Sequence, residues 1–128
     1  MSAVSLQTIP SGSGTIIEGP AGANGILNIR TEGSEIIEAC FGASTDRVLL
    51  HAENLPVEFF DLSSGVAGSV LQKLRNYRIR LAVVLDPAQV STSSRFGEMV
   101  AEEHRGRWFG MFADRASALA WLELDEGR

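Results

Sequence analysis

The sequence predicts a single α/β domain spanning residues 1–128, with elements in the order ββαβαβαβα and helices packed on a sheet. Three observations carry this expectation. Residues 79–85 are nearly continuous Ile, Leu, Ala and Val, interrupted by Arg80, as suits a central strand covered on both faces. Just upstream, Val66, Val70, Leu74 and Tyr77 recur at helical spacing with Ala67 and Leu71 beside them, while Gln72, Lys73, Arg75 and Asn76 fall outside that stripe. Helix, short link and buried strand form the second half of a parallel crossover. Finally, 128 residues that are 45% apolar and 21% charged make one ordinary globular domain with a sizeable core.

The elements follow in chain order. Residues 4–9 and 15–18 flank Ser11, Gly12, Ser13 and Gly14, which predicts a hairpin. The run GPAGANG over 19–25 reads as a loop, and residues 26–29 fit either a short strand or the approach to a helix. Ile36, Ile37, Cys40 and Phe41 form a stripe that predicts a first helix over 33–43 with the thiol and the ring on its inner face. A strand over 46–52 holds Val48, Leu49 and Leu50, and a loop broken by Pro56 runs over 53–62. Ser63 and Ser64 then supply hydroxyls suited to capping the helix over 63–77. After the 79–85 strand, Asp86 and Pro87 end ladder pairing. Ser91 to Ser94 precede a helix carrying Phe96, Met99 and Val100 to about His104. Residues 108–112 are a last strand, and Asp114 caps a closing helix with Ala118, Leu119 and Leu122 inward and Trp121 at its flank.

Composition narrows the function classes. A net charge of −5 and a pI near 5.0 argue against general binding to nucleic acid or an anionic membrane, both of which need a basic surface. Protein or small-molecule partners are expected instead. Cys40 is the sole cysteine, so an internal disulfide and a thiolate cluster are excluded, and a reducing cytoplasm fits. The opening MSAVSLQTIP lacks a basic segment followed by an apolar core, and no run approaches the roughly 20 apolar residues of a membrane span.

Residues suited to chemistry concentrate between 51 and 64. His51, Glu53, Glu58, Asp61, Ser63 and Ser64 supply a base, carboxylates and hydroxyls near strand ends, where α/β folds place sites. His51, Asp61 and Ser64 are the candidates for catalysis, with neither a GxSxG elbow nor an HExxH motif to support them. A polar residue at a strand end and a helix-capping serine account for the same positions. Phe59 and Phe60 are adjacent in a loop, so one ring is expected in the core and one outward as a partner anchor. Arg75, Arg78, Arg80, Arg105 and Arg107 suggest an anion site, although Glu98, Glu102, Glu103 and Asp114 are present to pair with them. A metal would need His51, His104 and carboxylates to converge, which their spacing does not enforce, so neither metal nor cofactor is expected.

Residues 47–122, above all HAENLPVEFFDL, GVAGSVLQKLRNYRIRLAVV and ASALAWL, resemble the bacterial domain-of-unknown-function family 4180. This chain has Leu85 where that pattern has glycine before Asp86, and a longer, glycine-rich N-terminal section. More distantly, DLSSG opening a helix and the final AWL resemble the STAS and anti-sigma-factor antagonist fold, which implies a STAS-like mixed sheet. In STAS antagonists a regulated serine precedes the glycine of a DSSG motif. Ser64, before Gly65, stands in the matching place, with Leu62 inserted after Asp61.

Two functional expectations follow. The first is a non-enzymatic regulatory or protein-interaction module whose contact surface includes Glu53, Phe59, Phe60, Asp61, Ser63, Ser64 and Gly65, with self-association as a homodimer through the apolar 55–60 loop. The second is a small-molecule or anion-binding protein, or an undiscovered enzyme, with His51, Asp61, Ser64 and Arg80 around a pocket.

Overall fold

A computed structural model describes residues 6–11, 14–19, 34–55, 57–61, 65–85, 94–105 and 108–123. Residues 26–29, Ser63 and Ser64 lie outside the described residues. The five strands β1 (Gln7–Ser11), β2 (Gly14–Glu18), β3 (Arg47–His51), β4 (Arg80–Val84) and β5 (Phe109–Phe112) stand in that order across one sheet. β1 and β2 pair antiparallel, with Gln7 opposite Glu18 and Ser11 opposite Gly14, whereas each later neighbour is parallel. The sheet is therefore mixed, as the STAS resemblance implies.

Stepwise strand order has a consequence for the helices. Because parallel crossovers are right-handed, successive steps in one direction put every crossover helix on the same face. Accordingly, α1 (Ser34–Ala43), α2 (Val66–Asn76) and α3 (Ser94–Arg105) share a core with Ile17, Val48, Leu50, Leu81, Val83 and Phe109. The alternate strand residues Ile16, Leu49 and Ala82 face the other way and pack against Ala118, Trp121 and Leu122 of α4 (Arg115–Glu123). Period-two alternation thus splits one sheet into two cores.

The connection from β3 to α2 contains two 3₁₀ turns, Ala52–Asn54 and Val57–Phe60. Phe59 is fully buried and Phe60 is 8% exposed. Their rings meet edge to face at 5.4 Å and pack with Phe96 and Phe109 at 5.8 to 6.2 Å. This corrects the expected outward ring. The 3₁₀ turn brings both neighbours to the core, where each meets Phe96 of α3. Leu55 is buried in the same cluster, so the loop's described apolar side chains are covered by their own chain.

α2 begins later than the serines imply. Gly65 occupies its N-cap position at φ 78°, without a side-chain cap, and its carbonyl accepts the Ser69 N–H at 3.0 Å. Glycine adopts this left-handed backbone without the steric penalty other residues carry. α4 starts as expected, with Asp114 Oδ1 accepting the Ser117 backbone N–H at 2.7 Å.

Arg80 is 3% exposed, at the start of β4. Its guanidinium donates to the carbonyls of Trp121 (3.1 Å) and Leu122 (3.3 Å) and stacks 4.6 Å above the Trp121 ring. Those carbonyls lie at the negative end of α4, where helical partners run out. Trp121 is correspondingly buried instead of flanking the core.

Candidate functional site

The C-terminal edge of the parallel strands gathers a compact charged cluster. Glu18 ends β2, His51 ends β3 and Arg115 opens α4. Arg115 Nε and Nη2 donate to Glu18 Oε2 and Oε1 at 2.8 and 2.9 Å, a bidentate pair. His51 Nε2 lies 3.0 Å from Glu18 Oε2, and because a carboxylate only accepts, that nitrogen carries the proton. Asn54, fully buried, accepts the His51 backbone N–H through Oδ1 at 2.9 Å, and its own backbone N–H faces the imidazole in a reciprocal capping box. Gly19 lies so close to Asn54 Oδ1 that a Cβ there would collide with it.

The electrostatics of this cluster are those of a clamp. The Arg115 guanidinium, opposed by burial and supported by His51, holds the Glu18 carboxyl below the ordinary value of 4.5. Glu18 in turn pushes Arg115 upward. Arg115 holds both Glu18 oxygens and His51 Nε2 shares Oε2, so the group bolts the start of α4 to β2 and β3. Arg80 fastens the other end of the same helix. Since Glu18 binds its proton more weakly when folded, its stabilising effect is full above the unfolded value and disappears as pH falls below about 4.5. Arg115 is half exposed, which limits the pair to about 1 kcal/mol. Glu18→Gln should therefore narrow the stability difference measured by urea unfolding between about pH 7 and about pH 3. An unchanged difference would show the carboxylate to be a bystander.

The sequence-predicted residues do not assemble into one pocket. The β3–β4 register sets Arg47 opposite Arg80 and His51 opposite Val84, so Arg80 lies at the far end of the strands from His51. The four-residue offset along a strand is about 13 Å. Phe59 and Phe60 are in the core, Glu53 is half-buried, and Asp61 and Gly65 are exposed. Ser63, Ser64, Arg107 and the His104 side chain fall outside the described residues. Cys40 is buried, and desolvation first, then the charge of Asp46, pushes its thiol up to about 12, which removes it as a nucleophile near neutral pH.

A different surface emerges at the opposite, N-terminal edge of the parallel strands. Among the described residues, Phe41 (65%) and Tyr77 (48%) are the large apolar side chains left exposed. They contact each other edge to face at 5.8 Å across the ends of α1 and α2. Both were expected inward. At about 100° per residue, Ile36, Cys40 and Ile37 span the inner arc of α1, and Phe41 falls about 40° beyond its edge. Tyr77 is in phase with its helix, but the helix ends at Asn76 and Tyr77 is already its C-cap.

Both helices stop in the same way. The Thr45 N–H bonds to the Cys40 carbonyl and Ser44 N–H to that of Phe41, while Ile79 N–H bonds to Leu74 and Arg78 N–H to Arg75. These are paired Schellman motifs, which require a left-handed residue just after the C-cap. That residue is Ser44 (φ 56°) in α1 and Arg78 (φ 60°) in α2, the two positive-φ non-glycine positions among the described residues. Such conformations cost about 1 kcal/mol each and concentrate at functional surfaces. Grooves flank the aromatic pair: one of about 570 Å³ bordered by Gly14, Thr15, Ser44 and Asp46 beside Phe41, another of about 380 Å³ bordered by Ser69, Gln72, Lys73 and Asn76 beside Tyr77. Among the described residues, no helix is long and apolar enough to cross a membrane.

These features define a five-stranded mixed α/β domain with three crossover helices on one face and a clamped fourth helix on the other. The family model described as Domain of unknown function (DUF4180) matches residues 15–122, from the second strand through the last helix, and the chain belongs to that family. No curated protein and no solved structure matches the chain.

Proposed function

We propose that the protein is a non-enzymatic interaction module of the bacterial cytoplasm, and that it engages a protein surface through the α1–α2 face. The observation that carries this reading is the exposed Phe41–Tyr77 pair. Burying two aromatic side chains that fold stability leaves in water is the usual energetic centre of a protein contact. The strained Ser44 and Arg78 backbones beside the pair hold it in place. At the other edge of the sheet, Glu18, His51 and Arg115 satisfy one another, which favours a structural role there over catalysis. The lone buried cysteine suits a reducing compartment. The resemblance to STAS antagonists, which work through protein contacts, points the same way.

The test is a pair of substitutions at the surface. Phe41→Ala with Tyr77→Ala should leave the melting temperature close to that of the wild type, since both rings are largely solvated. Associations made by the immobilised wild type, with another copy or with a foreign protein, should be lost. Retention of every wild-type association by the double variant would overturn the reading.

A further inference from the structure

We propose that the groove beside Phe41 is a binding site for a small organic carboxylate, held by the Arg47 guanidinium and the Thr15 backbone N–H. This site goes beyond the protein contact surface proposed above and does not depend on it.

The groove exists because the sheet splits. Among the described residues β2 pairs with β3 at Ile17 and Glu18, followed by the Gly19 N–H on the Leu49 carbonyl. Backbone groups point to alternate sides along a strand, so Thr15, Ile17 and Gly19 all turn theirs toward β3. Thr15 is therefore the next rung, and the ladder is open there. Its carbonyl accepts from the Thr45 hydroxyl, which in turn accepts the Arg47 backbone N–H at 3.3 Å, so a side chain stands in for the missing rung. The Thr15 N–H points into the gap and makes no hydrogen bond among the described residues. The resulting cavity of about 570 Å³ is bordered by Gly14, Thr15, Phe41, Ser44, Asp46 and Arg47.

Arg47 supplies the charge. Its side chain is only 20% exposed, yet Asp46 Oδ1 stands 3.9 Å from Nε, beyond hydrogen-bond distance, and the guanidinium makes no hydrogen bond among the described residues. Arg80 sharpens the need for an anion. It is the register partner of Arg47 on β4, on the same face of the sheet, so two like charges start from adjacent positions. Arg80 commits its donors to the Trp121 and Leu122 carbonyls, whereas the planar fork of Arg47 stays open. An anion at Arg47 satisfies that fork and offsets the like-charged neighbour.

The surroundings select the kind of anion. One cation and one neutral N–H suit a single negative charge, and the exposed Asp46 at the rim repels a dianion such as phosphate more strongly than a carboxylate. The guanidinium fork also matches the two coplanar oxygens of a carboxylate. The 65% exposed Phe41 ring offers the rest of the ligand an apolar wall. A carboxylate on a small aromatic or apolar body therefore fits better than a bare anion.

The experiment records backbone amide chemical shifts of the purified full chain during titration with benzoate, and with benzamide as its neutral isostere. Benzoate should shift Thr15, Ser44, Thr45 and Arg47 with a dissociation constant of about 1 mM, and leave Glu18, His51 and Arg115 unmoved. Benzamide and inorganic phosphate should each bind about tenfold more weakly, or worse. Arg47→Gln, checked for an unchanged melting temperature, should weaken benzoate about tenfold, and Arg47→Lys should fall between it and the wild type, because a point charge does not reproduce the fork. If the Gln variant fails to fold, the comparison of benzoate with benzamide on the wild type decides alone. Benzamide or phosphate binding as tightly as benzoate, a folded Arg47→Gln that binds benzoate like the wild type, or shifts centred away from these four residues overturns the proposal. So does the absence of any shift at about ten times the expected constant.

Discussion

Val83→Asp should leave almost no folded protein. Val83 is fully buried in β4, which pairs with β3 on one side and β5 on the other, and its side chain faces the core shared by α1, α2 and α3. The substitution forfeits about 2 kcal/mol of apolar burial and places a carboxylate among the apolar side chains of that core, at a further cost of several kcal/mol. Domains of this size have roughly 5 to 15 kcal/mol in total. Circular dichroism and solubility at neutral pH should show an unfolded or aggregated chain. A variant melting like the wild type would mean that β4 does not lie inside the sheet.

Arg80→Ala carries the second large effect. The guanidinium caps two carbonyls at the end of α4 and covers the Trp121 ring, so truncation removes two charge-assisted hydrogen bonds, a favourable helix-dipole contact and a stacking partner together. We expect a loss of about 3 kcal/mol, or roughly 10 °C in melting temperature. Arg80→Lys should recover part of this loss, because a point charge reaches one carbonyl well but does not reproduce the planar stack. Equal stability of Arg80→Ala and wild type would show that α4 docks through Ala118, Trp121 and Leu122 without help from the buried charge.

How far the sequence alone reached depended on the range of the interactions involved. Alternating helix and strand patterns from residue 34 onward fall where expected because each reflects a local period, and the Asp114 cap is likewise a local signal. The mixed sheet was expected from the STAS resemblance, and the antiparallel β1–β2 hairpin placed before parallel crossovers supplies it. The charged clamp was beyond reach for the opposite reason. Glu18 and Arg115 are 97 residues apart, and only the return of α4 across the second face brings them together. Arg80 reads as an interruption in an apolar strand, and what neutralises it is a helix end more than forty residues downstream. The N-cap of α2 is Gly65 at positive φ, and the serines expected to cap the helix lie outside the described residues. Phe41 was legible in principle, since counting angles around α1 puts it past the edge of the inner arc, although its apolar character alone suggests burial. Tyr77 was not, because its exposure depends on where α2 stops and on Arg78 adopting a left-handed backbone usually left to glycine.

The central claim, that the α1–α2 face is the contact surface of the protein, is tested most directly by immobilising the wild type and the Phe41→Ala, Tyr77→Ala double variant side by side and comparing what each retains. The account predicts that the double variant melts close to the wild type and loses the associations the wild type makes. A double variant that keeps every one of them would contradict it.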